Sequence, residues 1–80
     1  MATFNGHKNW NHWNVALWIA NDDGLYGMAR SAILYAGTRD DAARSLLASL
    51  HEMAGPGKAA ATPDGAPYTF ASVRAALRGL

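Results

Sequence analysis

One uncharged stretch, Asn9-Trp10-Asn11-His12-Trp13-Asn14-Val15-Ala16-Leu17-Trp18-Ile19-Ala20-Asn21, holds all three tryptophans of the chain and no Asp, Glu, Lys or Arg. A chain of 80 residues that gathers its largest side chains in one segment builds its interior around that segment, because indoles bury more area than other side chains. At this length the chain is one domain, over residues 1–80, near the lower limit for folding without staples. It has no cysteine, so neither disulfides nor Cys-based zinc sites contribute. Stability must come from apolar burial, alone or shared with a second copy, and a homodimer is an expectation of that kind.

The periodicity is helical. Trp10, Trp13, Leu17 and Ala20 share one face from about Asn9 to Asp22, with Val15, Trp18 and Ile19 beside it. Two of the tryptophans are expected in the core, with Trp13, Leu17 and Trp18 inside and Trp10 the most exposed. Asn11, Asn14 and Asn21 form a neutral polar stripe, and buried amides must be hydrogen-bonded. Asn11 and Asn14 are therefore expected to fasten the lead-in segment or a partner's backbone. Asp22 or Asp23 caps a second helix over about Gly24 to Ala36, with Leu25, Met28, Ala32 and Tyr35 on one face and Gly37 as its stop.

Thr38-Arg39-Asp40-Asp41 has the spacing of a capping box. It opens a third helix whose Ala43, Leu46, Leu47, Leu50, Met53 and Ala54 make an apolar stripe, ended by Gly55-Pro56-Gly57. Residues 55–67 read as a flexible loop, with a β-turn composition at Thr62-Pro63-Asp64-Gly65. A last helix begins near Thr69 with Phe70, Val73, Leu77 and Leu80 inward. Residues Met1 to Lys8 form an extended lead-in with a turn at Asn5-Gly6. The fold class is all-α: a small irregular bundle of about four helices.

Catalytic motifs do not emerge. His7, His12 and His51 lack metal-ligand spacing, and surface or boundary histidines account for them. Asp22-Asp23 and Asp40-Asp41 sit at helix starts, where capping explains them better than acid–base chemistry. The serines lack a G-x-S-x-G context, and Gly55-Pro56-Gly57-Lys58 lacks the spacing of a phosphate loop. The chain reads as a non-enzyme with no cofactor and no metal.

Seven basic against six acidic residues leave a net charge of +1. That balance argues against a DNA mimic and against a binder acting mainly through phosphates. The opening residues carry no signal-peptide pattern and no apolar run reaches a membrane span, which predicts a cytosolic protein. The stretch from Gly65 to Leu80 has no acidic residue, and Arg74 and Arg78 stand one turn apart on it. A solvated helix face is the plain account of them; an arginine patch that docks on an acidic or phosphate-lined surface is the functional one. Arg74, Arg78, Lys8, Arg30 and Trp10 are the candidate partner-binding residues, with Arg39 and Lys58 as further basic residues that the fold could bring to them.

The run from Phe4 to Tyr26, with its core N-W-N-x-W-N-V-A-L-W-I, resembles the opening of a family of small phage and prophage proteins. That family usually has Tyr where this chain has Phe4, and Thr where it has His12, which leaves the start of the first helix open. The resemblance covers about a third of the chain and implies a phage-encoded accessory protein rather than an activity. In size and Ala/Arg-rich composition the chain is also similar to anti-CRISPR proteins that inhibit type I-C systems. That likeness implies an inhibitor in the cytoplasm of an infected bacterium, bound to a subunit of the type I surveillance complex and blocking target-DNA binding sterically. The alternative is a small nucleic-acid-binding or regulatory protein that uses its C-terminal helix as a basic element.

Overall fold

In a computed structural model, which describes residues 6–80, the chain forms four helices: α1 (Trp10–Asn21), α2 (Asp23–Tyr35), α3 (Arg39–Ala54) and α4 (Phe70–Leu77). No strand longer than an isolated bridge is present among the described residues. The expected small all-α bundle is what forms. Phe4 and Asn5, and with them most of the expected lead-in, lie outside the described residues; Gly6 stands in a turn with φ 85°.

Every helix start has a polar cap. Asn9 accepts from the His12 amide at 2.9 Å, so α1 is capped at Asn9 and begins at Trp10, two residues before His12. Asp22 ends α1 and caps α2, accepting from the Leu25 amide at 2.9 Å. Thr38 caps α3 through the Asp41 amide at 3.1 Å, but the Asp41 carboxylate turns to Arg44 at 3.0 Å, so only half of the expected box forms. The full box is at Thr69 and Ser72, which bond reciprocally at the start of α4. α2 ends at Ala36 in an extended conformation rather than on Gly37, whereas α3 ends on Gly55 with φ 92°.

Each helix packs on two others. α1 meets α2 and α4, and α3 closes the ring between them. The core comprises Val15 and Ile19 of α1, Ala29 of α2, Ala42, Ala43, Leu46 and Leu50 of α3, and Val73, Ala76 and Leu77 of α4. Expectations of burial fail at several positions, Phe70 among them, which is 38% exposed at the start of α4. Trp13 and Trp18 are only half-buried and Leu17 is exposed, because the buried side of α1 is the one bearing Asn14, Val15 and Ile19. Met53 and Tyr35 are 66% and 85% exposed. Both occupy the last turns of their helices.

The segment expected as a flexible loop is in large part a closed turn. Tyr68 N–H donates to Ala60 O at 3.0 Å, Thr62 N–H to Ala66 O at 2.8 Å, and Gly65 N–H to Thr62 O at 2.8 Å. Ala60, Thr62, Ala66 and Tyr68 are buried while Ala61, Pro63 and Pro67 face outward, the two-residue alternation of extended chain. Polar bonds to α1 hold it in place. Asn14 donates to Asp64 at 2.9 Å and accepts from the Thr62 hydroxyl; Trp18 Nε1 donates to the same Asp64 oxygen at 2.9 Å; Asn11 donates to Pro67 O at 3.2 Å. The asparagine stripe does fasten a segment, but it is this turn.

Candidate functional site

The candidate site is a cleft of about 640 Å³ between the chain leading into α1 and the outer face of α4. Gly6, His7, Lys8, His12, Ala71, Arg74, Ala75, Arg78 and Gly79 line it, and no carboxylate does. Local structure explains the gathering. Asn9 caps α1, so Lys8 lies just outside the helix and His12 falls in its first turn. α1 packs against α4, which sets that turn opposite the arginine-bearing side of α4. Arg74 and Arg78 are one turn apart, and the small residues Ala71, Ala75 and Gly79 leave room between them and α1.

The electrostatics are lopsided. His12 is half-buried, and its pKa is held below the ordinary histidine value, first by burial and then by the charges of Lys8, His7 and Arg78. A proton on His12 is therefore opposed from both sides of the cleft. Arg74 is partly neutralised: its Nε donates to Asp40 Oδ1 at 2.7 Å, across from α3. Arg78 and Lys8 are exposed, and no ion pair to either is found among the described residues. The first turn of α1 carries no acidic residue to offset them.

Lys8, Arg74 and Arg78, proposed from sequence on separate segments, share this one cleft. The other two candidates do not line it. Arg30 is exposed on α2, and Trp10, at 41% exposure, opens α1. Arg39 and Lys58 do not join it either. Arg39 donates to Leu80 O at 2.7 Å, and Lys58 lies beside Leu25 and Tyr68 near the C-terminal end of α3. Arg44 is engaged by Asp41 and lies 5.4 Å above the Phe70 ring. Sequence reasoning missed the histidines. His7 and His12 share no helical face, but His7 precedes the helix and the cleft brings the two together. Among the described residues no group of three or more His, Asp or Glu is placed to hold a metal ion, and no helix is long and apolar enough to cross a membrane.

Asp22 caps α2, Asp40 and Asp41 pair with Arg74 and Arg44, and Ser72 is enclosed in its capping box with Thr69. What the cleft offers is concentrated positive charge on a concave, partly desolvated surface, which strengthens its attraction for anionic groups. No curated protein and no solved structure matches the chain. The profile of a family of unknown function, DUF7249, matches residues 1–77.

Proposed function

The chain belongs to the DUF7249 family, and we propose that it is a non-enzymatic docking protein, a phage-encoded anti-CRISPR protein that binds a type I surveillance complex. The system meant is type I-C, and the action is occlusion of target-DNA binding in the cytoplasm of the infected cell. The observation that carries the docking part is the convergence of Lys8, Arg74 and Arg78 on one cleft that has no carboxylate in its lining. The CRISPR part rests on the resemblance of the Phe4–Tyr26 run and of the overall composition described above. A net charge of +1 argues against another route to inhibition, an acidic surface posing as DNA.

A pull-down with purified type I-C surveillance complex, followed by a target-DNA shift assay, tests both parts. The expected result is co-purification and loss of the shifted DNA band. Combined Lys8→Glu, Arg74→Glu and Arg78→Glu substitution should restore the band while circular dichroism stays unchanged. If the triple variant binds as the parent does, the cleft is not the docking surface. Absence of any retained complex removes the CRISPR assignment.

The second reading, a small nucleic-acid binder, is favoured by the same clustering of three cations around α4. A salt titration with duplex DNA separates the two. Three phosphate contacts would give a log–log slope of about −2.7 at most, against about −5 to −9 for proteins that make six to ten contacts.

A further inference from the structure

The basic surface is short. Of the seven Lys and Arg residues, only Lys8, Arg74 and Arg78 line the cleft. Arg39 and Arg44 are committed to Leu80 O and to Asp41 and Phe70, Lys58 lines a separate hollow, and Arg30 stands exposed on α2. Among the described residues none of these four lines the cleft, whose three cations fall short of the run that tracking a phosphate backbone would require. A concave pocket with cations on both walls instead suits one or two carboxylates presented on a protein segment.

Building on the docking role above, we propose that the cleft receives an acidic peptide segment of the partner protein, held by Lys8 and Arg78 and sensed by His12. Arg74, half-buried, joins them by exchanging the exposed Asp40 for a partner carboxylate. The sensing follows from position. His12, half-buried in the first turn of α1, lines the cleft with His7 and Lys8 from its own side and with Arg74 and Arg78 from the α4 side. In the free protein burial first, and then the charges of Lys8, His7 and Arg78, oppose its protonation. A carboxylate entering among them reverses the local field, so docking draws a proton onto the imidazole. The sign is then set. Affinity is weakest at pH values above the histidine pKa of the complex, rises as pH falls below it, and levels off beneath that of the free protein. At lower pH still, protonation of the partner's own carboxylates ends the gain.

Fluorescence anisotropy of the full chain with a labelled Asp/Glu-rich peptide tests this, with a single-stranded and a duplex oligonucleotide as competitors. The peptide should bind about three- to tenfold more tightly at pH 6 than at pH 8, since uptake of one proton can change affinity at most about tenfold per pH unit. His12→Gln should flatten that profile with binding retained at the pH 8 level. His12→Lys should bind tightly at both pH values, a gain that misfolding does not imitate. Lys8→Glu with Arg78→Glu should abolish binding with unchanged circular dichroism. A flat parental profile, a profile lost in His7→Gln rather than His12→Gln, or an oligonucleotide held more tightly than the peptide overturns the inference. The same pH series on the immobilised surveillance complex tells the two claims apart. Cleft-dependent capture with no pH response sinks the acidic-segment inference alone, whereas capture indifferent to the Lys8 and Arg78 changes sinks the docking reading as well.

Discussion

Asn14 has 1% of its surface exposed on an otherwise apolar side of α1, beside Val15 and near Ile19. It is tolerable there because both polar atoms of its amide have partners, the nitrogen donating to Asp64 and the oxygen accepting from Thr62, whose oxygen also takes the Ala66 amide. Removing one partner of such a network leaves buried groups unpaired, which costs more than the bond itself contributes. Asn14→Ala should lower unfolding stability by about 2–3 kcal/mol in urea titration, and Thr62→Val by about 1–2 kcal/mol. Asp64 is the exposed end of the network, and its pKa lies below the usual carboxylate value because Asn14 and then Trp18 donate to it. The stability it adds is fully present above the unfolded-state pKa of about 4 and is lost as pH falls through the lower folded value. Asp64→Asn should therefore lower the melting temperature at pH 7 and flatten the acid limb of the stability profile. An unchanged acid limb would remove Asp64 from the account.

Among the elements, α4 and the turn before it depend most on local chemistry. α4 spans only Phe70–Leu77, too short to persist without tertiary contacts and its cap. Ser72 is fully buried within the Thr69 box, so Ser72→Ala should cost about 1 kcal/mol in chemical denaturation. Gly65 closes the Ala60–Tyr68 turn at φ 95° with open space around it, and Gly65→Ala should cost about 1 kcal/mol through backbone strain alone. α2 behaves differently. Only Ala29 is fully buried on it, and Tyr35 is 85% exposed, so Tyr35→Ser should stay within about 0.5 kcal/mol of the parent. The helices themselves were legible from caps and apolar spacing. The turn was not, because its Gly, Pro and Ala content reads as loop, although the alternation of Ala60 and Thr62 with Ala66 and Tyr68 around Asp64-Gly65 was an available signal.

For the whole molecule, a domain of this size is stable by only about 5–15 kcal/mol, so core truncations are severe. Leu77 is fully buried where α4 meets the bundle, and Leu77→Ala should remove about 2–5 kcal/mol, seen as a large fall in melting temperature. Charge is organised at the same scale. A net charge of +1 averages over a cationic cleft at the junction of α1 and α4 and over aspartates at the starts of α2 and α3. Charge reversal at Lys8 and Arg78, both exposed, should leave stability within about 0.5 kcal/mol while changing association.

The chain's own order of residues determined the helices, their caps and the class of fold, because spacing along a helix and capping over three residues are local properties. It also named Arg74, Arg78 and Lys8, since charge without a local partner is visible in one dimension. Only the packing of α1 on α4 decided that these residues and two histidines share a cleft, and only the docking of the Ala60–Tyr68 turn decided that Asn14 faces inward while Leu17 faces out. Both outcomes depend on which segment reaches which face, and on buried amides finding partners some fifty positions away (|i−j| 48 and 50), information that no local pattern carries.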